Sequence, residues 1–371
     1  MSRIVIASDS FKGSLSSEEV GRAASKAVRA RFPLYEVAEL SVADGGEGTS
    51  VALTQSLGGS FVSCSVHDPL GRPIEASYGI AGDIAIIEMA AASGLPLLRK
   101  EECNPLITST FGTGEMIADA LLRGCRRFLV GIGGSATNDG GTGMLAALGV
   151  RFLDSGGARV EPCGGSLADI ACIDLSTMLP ALRESSFTVA CDVDTPFCGP
   201  EGASAVFAPQ KGATEAQVAV LEAGMSYFAA LVRSSLGVDI ADMPGAGAAG
   251  GLGGAFHAFL GAKLRSGIDM VLDAAGFDSL LAGASLVITG EGKADSQTPK
   301  GKTAAGILRR AKAAGVPALL IAGKVDPSPE LLGMGFKDIL QVTPEGMPLE
   351  KAMQPEVASD NIYNTLYSYF E

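Results

Sequence analysis

The sequence holds only two histidines in 371 residues, and no two of its seven cysteines stand as C-x-x-C. These shortages argue against a structural zinc site. The cysteine count is odd and the contexts are apolar or mixed, which fits reduced thiols in a cytoplasmic protein. No G-x-S-x-G occurs, and no Ser-His-Asp arrangement is visible by spacing. Basic residues are also scarce. Lys and Arg number 28 against 41 Asp and Glu, a net charge of −13 at pH 7. That balance argues against a broad nucleic-acid surface, but a local pocket on an acidic protein can still take a small anion. The uncharged stretch PGAGAAGGLGGAFHAFLGA (Pro244–Ala262) has too little aliphatic bulk for a membrane span and reads as a glycine-rich turn leading into a buried helix. The opening MSRIVIASDSFKG goes straight into a strand-like run without a signal-peptide layout.

Glycine is abundant, at 49 residues, and it comes in short clusters beside Asp, Ser, Thr and Lys. Such placement lets a backbone turn tightly or approach a ligand closely. The chain begins β-α-β-α: RIVIAS, the helix SSEEVGRAASKAVRARF, YEVAELSVA, and the helix GTSVALTQSLGG. FVSCSV and PIEASYGI then alternate with period two around the turn DPLGR (Asp68–Arg72), predicting an antiparallel hairpin. Helices are expected over Thr214–Ser234 and Ala255–Leu264. From Ala284 the strand-helix alternation returns. The ends resemble each other and the middle differs. The reading is a discontinuous parallel α/β domain (1–60 and 280–371) with a mixed α/β domain (61–279) inserted.

Six clusters carry chemistry: SDSFKGS (Ser8–Ser14), ADGGEGT (Ala43–Thr49), GIGGSATNDGG (Gly131–Gly141), CDVDTP (Cys191–Pro196), PQKGA (Pro209–Ala213) and TGEGKADSQTPKGKT (Thr289–Thr303). Three of them directly follow apolar strands, where open parallel sheets bind ligands. SQTPKGKT misses the P-loop by its first glycine, yet Lys302, Thr303 and a helix start suit phosphate. GIGGSA with Asp154 matches a dinucleotide fingerprint. Its glycines, however, push any helix start to about Asp139, which suits an anion-binding loop better. The dinucleotide site and a plain turn stay open as alternatives.

In order along the chain, SDSFKGSLSS, VADGGEGT, DPLGR, GIGGSATNDGG, CDV, FAPQKGA, PGAGAAGGLGG and VITGEGKADSQT…GK resemble the bacterial glycerate kinase family, class I. The resemblance runs from about residue 3 to 325. It departs from the family at Thr195-Pro196-Phe197 and at Thr303-Ala304. It implies two α/β domains, one Rossmann- or flavodoxin-like, with an active site in the interdomain cleft. It also implies ATP- and Mg²⁺-dependent phosphorylation of D-glycerate, usually to 2-phosphoglycerate, with neither nucleic acid nor membrane as partner. A dinucleotide-dependent oxidoreductase and a non-catalytic binding protein are the alternatives. The expected catalytic residues are Asp192 as base, Lys12 and Asp295, with Glu291 and Asp295 on the metal. Substrate or nucleotide binding is expected of Ser10, Phe11, Asp44, Gly45, Gly46, Gly133, Gly134, Ser135, Ala136, Thr137, Asn138, Lys211, Gln297 and Lys302.

Overall fold

The computed structural model describes residues 2–42, 49–299 and 302–371, with Lys302 described in its backbone alone. Strands β1 (Arg3–Ser8) and β2 (Glu36–Ser41) come first. The middle of the chain carries β3 (Ser60–His67), β4 (Pro73–Ala81), β5 (Ile84–Glu88), β6 (Arg127–Gly131), β7 (Arg151–Leu153), β8 (Cys172–Asp174), β9 (Ser186–Ala190) and β10 (Lys263–Arg265). Strands β11 (Ala284–Ala294), β12 (Ala318–Val325) and β13 (Asp338–Gln341) follow. The chain divides into two compact units, Met1–Asp44 with Gly267–Glu371, and Gly45–Ser266.

The first unit is built on a parallel sheet in the order β2-β1-β11-β12-β13. Its inner strands are almost wholly apolar because both faces are covered. On one face Ile4, Ile6, Ile288 and Ile321 pack with Val20, Ala24 and Val28 of the helix Ser17–Arg31 and with Ile362 and Leu366 of the helix Pro355–Tyr369. On the other, Leu320 and Ala322 meet Ala304 of the helix Lys302–Ala313, and Leu331. The strand order reverses between β1 and β11. Doubly wound sheets of this order bind ligands at that reversal, outside the carboxyl ends of the strands. Arg310 ties the helix Lys302–Ala313 to the helix Gly267–Ala274, reaching Asp269 at 2.9 Å and Asp273 at 2.6 Å.

The second unit carries a mixed sheet in the order β10-β9-β6-β5-β4-β3. Strands β3, β4 and β5 are antiparallel, and β5, β6, β9 and β10 run parallel. The hairpin turn is made by Asp68, whose carboxylate accepts the N–H groups of Leu70 (2.8 Å) and Arg72 (2.9 Å). Strands β7 and β8 form a separate antiparallel pair. Phe128 and Phe187 stack at 4.5 Å in a core shared with Phe256.

The unit boundaries differ from the sequence reading. The helix Thr49–Ser56 packs on β4 and β5 within the second unit. Gly79 of β4 permits this, since a Cβ there would lie 1.8 Å from Thr54 Oγ1. The helix Gly267–Ala274 belongs to the first unit and packs on Lys302–Ala313. The helix expected over Ala255–Leu264 runs from Ala248 to Leu260. Gly261, at φ 62°, ends it, and the chain then enters β10.

Candidate active site

At the reversal point of the first sheet, β1 ends at Ser8 and Asp9 follows. The Asp9 N–H bonds the Gly290 carbonyl of β11 at 3.0 Å, which locks the loop onto the neighbouring strand. Asp9 Oδ1 accepts the Ser10 N–H at 2.7 Å, and Oδ2 accepts the Thr303 hydroxyl at 2.9 Å. Glu291 lies on β11 itself, paired with Ala322, so a strand rather than a loop carries it. Its Oε1 accepts the Thr298 hydroxyl at 2.6 Å. Burial, together with the nearby charges of Asp9 and Asp295, pushes the Glu291 carboxyl above the usual range, against the pull of Thr298. Asp295 is held low by Lys293, at 2.9 Å, and by the Gln297 N–H, at 2.8 Å. Lys293 also reaches Asp326 at 3.0 Å.

This region gathers three carboxylates and two buried threonine hydroxyls at the carboxyl ends of β1 and β11. Hard oxygen donors of this kind suit Mg²⁺, and it usually takes one or two protein carboxylates and completes its shell with water and phosphate oxygens. Among the described residues no three His, Cys, Asp or Glu side chains converge as a metal cage. A site of one or two carboxylates needs no such convergence. The raised Glu291 carboxyl beside two other acids is a place where a cation would relieve like-charge repulsion.

In the second unit, Glu88, Gly131 and Ala190 stand in register at the carboxyl ends of β5, β6 and β9. Asp192 follows β9 and is partly exposed. The Gly131–Gly141 loop follows β6, and its helix begins at Thr142, behind the Gly141 cap. The loop has an exposed tip and a buried root. Gly133 and Gly134 are exposed, whereas Ser135, Ala136, Thr137, Asn138 and Asp139 are buried. The loop is docked on Ser93–Leu95 by Ala136 N–H to Ser93 O and by Leu95 N–H to Gly134 O, each 2.9 Å. At the root, Asp139 accepts from Thr110 N–H (2.8 Å), Thr110 Oγ1 (2.8 Å), Gly141 N–H (3.0 Å) and Gly143 N–H (3.1 Å). Burial raises its carboxyl and these donors oppose the rise. Lys211 is buried with its ammonium 2.7 Å from the Thr137 carbonyl. Desolvation drives its pKa down to about 7, while the charge of Asp139 acts the other way.

The sequence-predicted residues therefore fall into two groups. Ser10, Lys12, Glu291, Asp295 and Gln297 surround the reversal point of the first sheet. Lys12 is exposed, and Gln297 serves through its backbone, in the turn at Asp295. Phe11 lies in the hydrophobic core of the first unit, bridged to Leu15, which accounts for it without a ligand. Gly133–Asn138, Asp192 and Lys211 belong to the second unit. Asp44, Gly45 and Gly46 lie outside the described residues, as does the Lys302 side chain. Asp154 accepts the N–H groups of Gly156 (2.8 Å) and Ala158 (2.9 Å), as a turn residue does. The role expected of it in a dinucleotide fold has no support from that geometry. Asp9 lies in the SDSFKGS cluster and Thr303 in TGEGKADSQTPKGKT, and nothing in the sequence pairs them. Sequence reasoning missed Thr298, whose only signal is its place three residues after Asp295 in an Asx-type turn.

The profile of the Glycerate kinase family matches residues 4–370. The chain belongs to the glycerate kinase family. A glycerate kinase of Bacillus subtilis is 47% identical over 95% of this chain and 93% of its own length. A glycerate 2-kinase of Escherichia coli K12 is 47% identical, covering 87% of this chain and 85% of that one. A crystal structure from Salmonella typhimurium LT2, assigned as glycerate kinase 2, superposes with a TM-score of 0.90 at 43% identity, covering 100% of this chain and 97% of that one. The family's α/β architecture is the one described above, with the parallel sheet in one unit and the mixed sheet in the other. Among the described residues no helix is long and apolar enough to cross a membrane.

Proposed function

We propose that this chain transfers the γ-phosphoryl group of ATP to D-glycerate, at the 2-hydroxyl, giving 2-phosphoglycerate and ADP. The observation that carries the reading is the match to named glycerate kinases along nearly the whole chain, one of them a glycerate 2-kinase. Phosphoryl transfer asks mainly for positioned phosphates and stabilised charge. Two features support it. Oxygen donors gather where the first sheet reverses, and a glycine loop with an exposed tip stands at the end of β6.

In this reading Glu291 and Asp9 hold Mg²⁺, with Asp295 beside them, and Thr303 orients Asp9. Bound there, Mg²⁺ supplies charge neutralisation on the phosphate oxygens. Asp192 accepts the proton of the attacking hydroxyl. The tip Gly133–Ser135 presents backbone N–H groups to an anion, either nucleotide phosphate or the glycerate carboxylate. Lys12, exposed, supplies a positive charge toward the phosphates. A cytoplasmic setting accords with this chemistry and with seven free thiols.

The direct test is ATP consumption by the purified protein with D-glycerate and Mg²⁺, with the product's phosphate position read by ³¹P NMR. Absence of glycerate-dependent ADP formation refutes the function. A 3-phosphorylated product refutes only the regiochemistry.

A further inference from the structure

Lys211 is one of the few charged side chains that the fold buries outright, at 1% exposure. Its ammonium donates to the carbonyl of Thr137, not to a carboxylate. Burying an ammonium is costly. Methionine would fill similar space without that cost. What lysine adds is a set of directional donors. One of them is used at the root of the Gly131–Gly141 loop, on the Thr137 carbonyl, where Thr137 Oγ1 and Asn138 Oδ1 are buried without a hydrogen-bond partner among the described residues.

The same carbonyl is pressed by a second segment. Ala249, Gly250 and Gly251 all have positive φ (53°, 67° and 94°), at the start of the segment Ala248–Leu260 and ahead of its regular helical turns. Alanine rarely adopts that conformation. Gly250 accepts the Gly140 N–H at 2.9 Å, and a Cβ on Gly250 would stand 2.1 Å from the Thr137 carbonyl oxygen. PQKGA and PGAGAAGGLGG thus converge on one peptide group of the loop. Asp139 fixes the residues just beyond it.

We infer that Lys211 and the left-handed run Ala249–Gly251 are a positioning device. They immobilise the peptide at Thr137 so that the tip, Gly133–Ser135, is held rigid toward a substrate anion. Lys211 touches no substrate in this scheme. The inference rests on the proposed kinase activity and on the tip as its anion site. Misplacement of such a site by about 1 Å can cost up to about 10²-fold in rate.

The test is Lys211→Met in the full chain. The expected result is that kcat/KM falls at least about tenfold, with KM rising for only one of ATP and glycerate, while Tm stays equal to or above wild type. A positioning role separates activity from stability in this way, because removing the buried charge relieves a cost. Kinetic constants within threefold of wild type overturn the inference. So does a loss of activity that merely follows a fall in Tm. A wild type inactive on glycerate refutes the proposed function instead. Residue-resolved hydrogen exchange on the wild type serves if the variant does not fold. Thr137–Gly140 should exchange slowly in the free protein, and Gly133–Ser135 should gain protection with ATP or with glycerate. A tip unchanged by either, in an active enzyme, overturns the inference.

Discussion

Thr303 and Asp9, 294 positions apart in the chain, meet through a 2.9 Å hydrogen bond from the threonine hydroxyl to Asp9 Oδ2. The bond joins the carboxyl end of β1 to the first turn of the helix Lys302–Ala313. Asp9→Asn should lower kcat by about 10²-fold or more if the carboxylate holds the cation that neutralises the transferring group. Thr303→Val should cost about tenfold, the worth of one hydrogen bond to a charged partner. Steady-state kinetics with ATP and glycerate check both, and wild-type kcat in Asp9→Asn would remove Asp9 from the site.

Glu291 has a folded pKa above its unfolded value. The folded state therefore binds the extra proton between the two values. The resulting stability is full below the unfolded value and is lost as pH rises through the folded one. Wherever Glu291 is ionised, its burial beside other acids is a liability that Glu291→Gln removes. The variant should match or exceed the wild-type Tm without metal and be inactive. Millimolar Mg²⁺ should raise the wild-type Tm by linkage and leave the variant unmoved. An equal Mg²⁺ response in both proteins would place the cation elsewhere.

Lys211 works in the opposite direction. Its folded pKa is depressed to about 7 from 10.5, so the unfolded chain binds more protons between those values. Its contribution is present above the unfolded value and lost as pH falls through the folded one. Relative to Lys211→Met, the wild type should gain stability between pH 7 and pH 9, by about 2 kcal/mol at most. Urea unfolding of both proteins at the two pH values measures this. An unchanged difference means the amine is not depressed.

Gly133 has open space where a Cβ would be placed, and its φ is not in the left-handed region. Gly133→Val should therefore fold normally while impairing binding more than Ser135→Ala does. Asp154→Ala, which only loosens an exposed turn, should leave KM for ATP within about twofold of wild type, as surface changes usually do. A folded Gly133→Val enzyme with normal KM and kcat would make the loop a plain turn.

Asp192→Asn should lower kcat by about 10²–10⁴-fold with little change in Tm, if Asp192 is the base. Activity within a few-fold of wild type assigns the proton to another group.

The parallel sheet was legible because RIVIAS and SLVITG are apolar on both faces, and the hairpin because DPLGR separates two alternating runs. The helix Thr49–Ser56 was visible as a helix, but its allegiance was not, since it depends on the close approach of Thr54 to Gly79. The acids of the site were visible as residue types in glycine-rich loops. Their pairing was not, because the Thr303–Asp9 contact spans nearly the whole chain. The sequence marks Lys211 as a candidate binding residue, and only tertiary packing shows its amine buried on a carbonyl. Phe11 likewise stands in a motif, and only the packed structure shows its ring in the core.

The split of the first unit between the two ends of the chain sets a clock during synthesis. Strand β1 ends at Ser8, and its inner neighbour β11 begins at Ala284. At roughly 5–20 residues per second, the ribosome needs on the order of 15–55 s to deliver that partner. The whole second unit, Gly45–Ser266, emerges in the interval. Throughout it, Ile4, Val5 and Ile6, fully covered in the finished sheet, have no strand on one side. The nascent protein thus carries an apolar segment waiting for its mate.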